Sequence, residues 1–376
     1  MYILFIFGFF GIAYFLWARR IEKNIFVDCV RPTPAFELYD GKDYVPTRPS
    51  VLFGHHFASI AGAGPIVGPV LAVKFGWLPV ILWLVIGVVL IGAVHDFASI
   101  ITSVRHKGRN IGETIGIYMG DREKKAYYLF TISAVLLVIA VFIRIVSKTF
   151  ENNPQSATAS LTLILLAIPI GILNWRVKIS TLVLALVSIS ICFLCVFLGM
   201  KYPLKLPANW WMFILVAYCF FASILPVWLL LQPRDYTNYF RLYFFMILGT
   251  VGIVKGWNSL TFNLPAFSSW TTDLGYLFPM LFVTVACGAV SGFHSLVSSG
   301  TTSKQISSEC HAKPIGYGGM LLEGVLGVIA LTSACVISQE EYLRILGPRG
   351  DGAISVFSSG MTKIFSFINL PSDFAS

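Results

Sequence analysis

The sequence predicts an all-α, polytopic transmembrane bundle of about ten spans, eleven if a weak last segment is counted, with discontinuous helices. Three observations predict it. Of 376 residues, 56% are hydrophobic and only 12% are charged, about half the roughly 25% of a soluble domain. Apolar runs approaching the roughly 20 residues needed to cross hydrocarbon recur along the whole chain. No polar connection between them exceeds about 30 residues, so residues 1–376 read as a single membrane domain.

The first run, 1–17, lacks a basic start and a small-residue cleavage site, so it reads as a retained helix rather than a signal peptide. The second, 51–73, holds Gly54, Gly62, Gly64, Gly68, Pro65, Pro69 and the pair His55-His56. Gly and Pro free backbone groups that hydrocarbon cannot solvate, so a break there needs cover from protein or a water-filled cavity. Residues 62–69 are therefore expected to be unwound within the bilayer, lining a solute pathway. Runs at 77–101, 126–147, 157–174, 179–199, 209–231, 239–256, 274–298 and 316–338 supply the further spans, and 353–370 is the weak one. Cys192-x-x-Cys195 lies mid-run with no His or carboxylate close in sequence, so it reads as packing and not as a zinc site. Arg144, near a span end, is expected to snorkel.

Orientation follows from where Lys and Arg collect. Eighteen fall in the connections holding Arg19–Arg48, Arg105–Lys125, Arg176 and Lys178, Arg234 and Arg241, and Lys304 and Lys313; six fall on the other side. That excess puts the first set in the cytoplasm and the N-terminus outside. It also accounts for most of the net charge of +9 without a nucleic-acid partner, and suits the chain to anionic lipid headgroups.

On that topology the ionisable residues share a level. His55 and His56 on the second span, His95 and Asp96 on the third, His294 on the ninth and Glu323 on the tenth each lie roughly 6–10 Å below the cytoplasmic surface at 1.5 Å per residue. A charge facing lipid at that depth is costly, so they are expected to face each other across a cavity or gate. Three further stretches read as breaks or polar re-entries: Pro226–Tyr236, Ser298–Gln305 and Gly316–Met320. Hydroxyls and glycine backbone in such places hold a carboxylate or a sodium ion, which makes Ser299, Thr301 and Thr302 candidate substrate ligands. No G-x-x-x-x-G-K-[ST] occurs, which argues against ATP-driven transport. No nucleophile–base pairing marks an enzyme, and neither a cofactor nor a metal is expected.

Ordered blocks then carry a resemblance: Phe53-Gly54-His55-His56-Phe57-Ala58, Ile60-Ala61-Gly62-Ala63-Gly64-Pro65, Gly92-Ala93-Val94 with Asp96-Phe97, and Leu225–Leu231 with Pro233–Tyr236. It continues in Ala286–His294, Ser298–Thr302 and Ile315–Leu321. The chain resembles the carbon starvation (CstA) transporters, chiefly their N-terminal portion. The resemblance implies an inner-membrane nutrient importer, used when preferred carbon is short, that takes up peptides or pyruvate with a proton gradient. It also implies a fold like that of the amino acid/polyamine/organocation superfamily, with inverted five-helix repeats. The second span would then be one discontinuous helix, and the seventh a candidate for its counterpart. Two departures stand out: His95 replaces an expected glutamine, and the family's C-terminal helices are absent, so that either this sequence is a fragment of a longer one or a second polypeptide or a homo-oligomer is an expected partner.

The mechanism expected on this basis binds a small carboxylate or a peptide's free carboxyl end at Gly62, Ala63, Gly64 and Pro65, where the N–H groups of a following half-helix would hold it. His55, His56 and His294 line the same cavity, while Asp96, His95 and Glu323 carry the coupling proton, with sodium as the alternative ion. Two other readings compete: a solute-sensing or regulatory membrane subunit, and a haem- or metal-binding membrane protein using the histidines.

Overall fold

Helix accounts for every regular element among the described residues except a two-stranded antiparallel hairpin pairing Thr271 with Tyr276 and Thr272 with Gly275. The structure is a computed structural model and describes residues 2–177, 181–225, 231–348, 350 and 352–369. Two units form: one from residues 1–39, 44–111 and 244–376, the other from 40–43 and 112–243.

In the first unit the apolar segments become α1 (Tyr2–Asn24), the pair α2 (Pro49–Ile60) and α3 (Gly64–Phe75), and α4 (Trp77–Arg105). They continue with α5 (Leu277–Thr284), α6 (292–305), α7 (Glu309–Val336), α8 (Gln339–Leu346) and α9 (Ala353–Ser366). Among the described residues of the whole chain, α1, α4, α7 and Asp121–Asn152 are long and apolar enough to cross a membrane, and α2–α3 makes a fifth if counted as one bent span.

The break in the second span is real but shorter than expected. It covers Ala61–Ala63 and bends the chain by 41°. Residues 64–69, expected to be unwound, are helical. Pro65 sits in the first turn, where it has no helical N–H to lose and its fixed φ suits the helix. Ile66 and Val67 donate back to the Ala63 carbonyl at 3.2 and 2.9 Å.

The ninth span, expected as one run over 274–298, is instead a series of pieces. α5 ends at Thr284, a short turn covers Ala286–Ala289, and the chain bends at Val290 and is extended at Ser291 before α6 begins at Gly292. By contrast, Ser298–Gln305 and Gly316–Met320, expected as breaks, are helical, with π-helical turns at Ser298–Thr302 and Lys313–Gly318. The hydroxyls there bond their own helix: Ser299 Oγ donates to Ser295 O at 2.6 Å and Ser303 Oγ to Ser299 O at 3.0 Å. Of the third expected break, Pro226–Leu230 lies outside the described residues.

The polar connection after α1 is pinned to one end of this unit. Buried Thr33 donates to Ile306 O at 2.6 Å, and Thr47 pairs with Ile306 in a parallel bridge. Glu309, fully buried, binds Arg105 Nη2 at 3.0 Å and Arg31 Nη1 at 3.2 Å, and beside it Cys29 and Cys310 form a disulfide, unanticipated in the sequence. Lys313 pairs with Glu22. At the far end of α4, whose 29 residues span about 43 Å, Lys74 pairs with Asp273.

In the second unit, Trp211 of Ala208–Ile224 is fully buried and meets Phe150 edge-on at 5.1 Å. Cys192 and Cys195 pack with Leu163 in an apolar cluster, as their setting in the sequence suggested.

Candidate functional site

Small residues bring α2, α3, α4, α6 and α7 close enough for their polar groups to meet. A Cβ added at Gly92 would lie 2.3 Å from Ala289 O, and one at Gly316 would lie 2.9 Å from Phe97 Cα, so neither position admits a side chain. Such bare contacts are how membrane helices approach closely.

Asp96, His294 and Glu323 all have no exposed surface. Asp96 accepts two hydrogen bonds, from His294 Nδ1 at 2.8 Å and from His95 Nδ1 at 3.1 Å. With Nδ1 of His294 donating, its Nε2 faces the other way, 3.2 Å from Glu323 Oε2. That approach lacks hydrogen-bond alignment, so Nε2 and both Glu323 oxygens have no hydrogen-bond partner among the described residues. Cys287 completes the group: its sulfur, His294 and Glu323 each bring a ligand atom within 4.8 Å of the others, the one such set of three among the described residues.

Cys287 also touches the break in α2–α3. A Cβ at Gly64 would lie 2.3 Å from its Sγ. At the break Ala61 and Gly62 donate to the Phe57 and Ile60 carbonyls, and Ala63 O accepts from Ile66 and Val67 of the helix that follows. Gly62 at one break and Gly292 at the other are both exposed, and a Cβ at either would meet nothing within 4 Å. Open space therefore lies beside both breaks.

The other expected site residues are distributed differently. His56, fully buried, shares a hydrogen bond with Thr302 Oγ1 at 2.9 Å, and its ring lies beside Gly319 of α7. His55 is buried one residue earlier on α2. Ser299 is turned to its own helix, and Thr301 is half-buried on the π turn. Thus Asp96, His95, His294 and Glu323 form one cluster. Gly62, Ala63, Gly64 and Pro65 lie beside it, and Ser299 is not part of it. The four histidines do not make one ligand set, as a haem or all-histidine metal site would require: His56 turns to Thr302 and His95 to Asp96.

Two features escaped the sequence reading: the thiol of Cys287 and the second break at Val290–Ser291. The only signal for either was the pair of glycines at 288 and 292, close together in an otherwise apolar run.

Residues 1–368 match the family described as carbon starvation protein CstA. The chain belongs to that family. It is 39% identical to the peptide transporter CstA of Escherichia coli (strain K12), an alignment covering 96% of this chain and 54% of the relative. It is likewise 39% identical to the peptide transporter CstA of Campylobacter jejuni, over 86% of this chain and 48% of the relative. The pyruvate/proton symporter BtsT of Escherichia coli (strain K12) is 38% identical over 90% of this chain and 49% of its own length. The chain thus spans about half the length of the curated relatives it matches. These relatives are named as transporters, not enzymes. No solved structure matches the chain.

Proposed function

We propose that this CstA-family chain is part of a secondary active nutrient transporter that imports a small carboxylate or a short peptide with protons. The observation that carries the reading is the meeting of two broken helices at a buried cluster. Asp96, His294 and Glu323 form a continuous polar chain across α4, α6 and α7, and open space adjoins the breaks at Ala61–Ala63 and Val290–Ser291. The N–H groups at the start of α3, which a helix's first turn leaves without an intrahelical acceptor, suit a carboxylate, and the helix dipole favours an anion there. His55, His56 and Thr302 form the buried wall on the α2 side.

The relatives' names supply both substrate classes, peptide and pyruvate, and BtsT supplies the proton. A thiol and imidazoles are poor ligands for a hard cation that prefers oxygen, so the proton is favoured over sodium at this cluster. Asp96 is assigned the coupling proton, with His95 and Glu323 as its partners. The finer architecture belongs to the same proposal: about ten spans in one membrane domain, with repeats like those of the amino acid/polyamine/organocation superfamily. So do an inner-membrane location with the N-terminus outside, the lipid bilayer as a partner, and a second polypeptide or a second copy of the chain.

The test is uptake of labelled pyruvate and labelled dipeptide into sealed vesicles, with the pH gradient and sodium varied independently. Asp96→Asn should abolish proton-driven accumulation while preserving exchange of substrate across the membrane. Full proton-dependent accumulation in that variant would remove Asp96 from the coupling step, and binding without flux in the parent chain would favour a sensing subunit.

A further inference from the structure

We propose that Cys287, His294 and Glu323 form a binding site for a borderline-soft divalent cation of the zinc class. Three observations converge on it. The first is donor geometry. His294 Nε2 and Glu323 Oε2 stand 3.2 Å apart, and a tetrahedral zinc at its usual distances sets two such atoms about 3.3 Å apart. The Cys287 sulfur lies within 4.8 Å of both, a modest step from the about 3.5 Å that a zinc-bound thiolate and imidazole require.

The second is the unspent bonding capacity. His294 Nε2 and both Glu323 oxygens are fully buried and make no aligned hydrogen bond among the described residues, Nε2 and Oε2 facing each other at 3.2 Å as an ion pair only. Buried polar atoms of native proteins are nearly always satisfied, and three in one place call for a ligand. A cation supplies what all three lack, since each offers a lone pair.

The third is the arrangement behind the imidazole. Asp96 accepts from His294 Nδ1 at 2.8 Å, which fixes the tautomer and turns the Nε2 lone pair toward Glu323 and Cys287. Metal-bound histidines almost always lean on a carboxylate in this way. Asp96 is therefore a positioning residue for the site, itself steadied by His95 at 3.1 Å. A dication neutralises the thiolate and the Glu323 carboxylate, which would be costly to bury uncompensated, and the remaining charge of Asp96 is met by the two imidazole N–H groups of His294 and His95. The mixed sulfur, nitrogen and oxygen set selects zinc or cobalt over magnesium, calcium or sodium. Three protein ligands leave a fourth place open, and the bare Cα of Gly64 is what lets the thiol in.

The proposal stands whether or not the chain transports, although a proton and a metal compete for the same atoms. The test uses the full chain in detergent, dialysed against zinc and titrated with cobalt. One tightly held zinc per chain is expected, and cobalt should give a tetrahedral spectrum with a thiolate charge-transfer band. Cys287→Ser should abolish that band, and Asp96→Asn should weaken binding by roughly 10–100-fold. X-ray absorption on the unmutated chain should find one sulfur among nitrogen and oxygen ligands, a readout that does not depend on any variant folding. Absence of stoichiometric zinc, a sulfur-free ligand shell, or a charge-transfer band that persists in Cys287→Ser would each overturn the proposal. None of these outcomes alters the uptake experiment.

Discussion

Gly64→Ala places a methyl group where the structure has none to spare. The new Cβ would lie 2.3 Å from Cys287 Sγ and 2.6 Å from Cys287 Cβ, against about 3.5–4.0 Å for comfortable contact between non-bonded atoms. Relief requires a shift of more than about 1 Å, and rotating the thiol away does not provide it, because Cβ is involved as well. Overpacking of this kind costs about 1–3 kcal/mol. Gly62→Ala, two residues earlier on the same break, would meet nothing within 4 Å and is the matched control. The assay is thermal unfolding of purified variants in one detergent. Gly64→Ala should melt below the parent and Gly62→Ala should match it. Most of the loss should disappear when Cys287→Gly is combined with Gly64→Ala, since both close contacts then vanish. Equal melting of Gly64→Ala and the parent, or a loss unchanged by Cys287→Gly, would refute the placement of the thiol against the helix break.

Two further outcomes follow from the polar end of the first unit. Arg105→Met removes one of the two arginines facing Glu309, whose side chain is fully buried. Because Arg31 remains, the loss should be up to about 3 kcal/mol, and changing Glu309 to Met as well should recover much of it; a neutral Arg105→Met would contradict the packing. The proposed orientation puts Cys29 and Cys310 in a reducing compartment, which works against the disulfide that joins them in the structure and would hold them as thiols in the cell. In intact cells they should react with a membrane-permeant maleimide and not with an impermeant one, as read by peptide mapping; the opposite pattern, after prior reduction, would place the N-terminus inside.

Much of this architecture was legible because hydrocarbon permits so few solutions. Gly62, Gly64 and Pro65 in an apolar run announced a break, and the shared depth of Asp96, His294 and Glu323 anticipated their meeting. What misled was the double use of glycine and serine. Gly316 reads as a breaker, yet it lies in helix against the backbone of Phe97. Ser299 reads as a solute ligand, but its hydroxyl is spent on the carbonyl four residues back, a local bond open to any helical serine. Cys287 was invisible for the opposite reason, since a thiol in an apolar run looks like one more small hydrophobe.

The helix α7 is apolar enough to span a membrane, yet 94% of its most apolar window is enclosed by protein. Its hydrophobicity is thus addressed to neighbouring side chains and scarcely to lipid acyl tails. A rod so enclosed is poorly placed to tilt or slide by itself, so rearrangement within this unit is expected to turn around it. Glu323 rides on that axle, and a probe fixed along it would serve as the stationary mark from which movement of the other helices is measured.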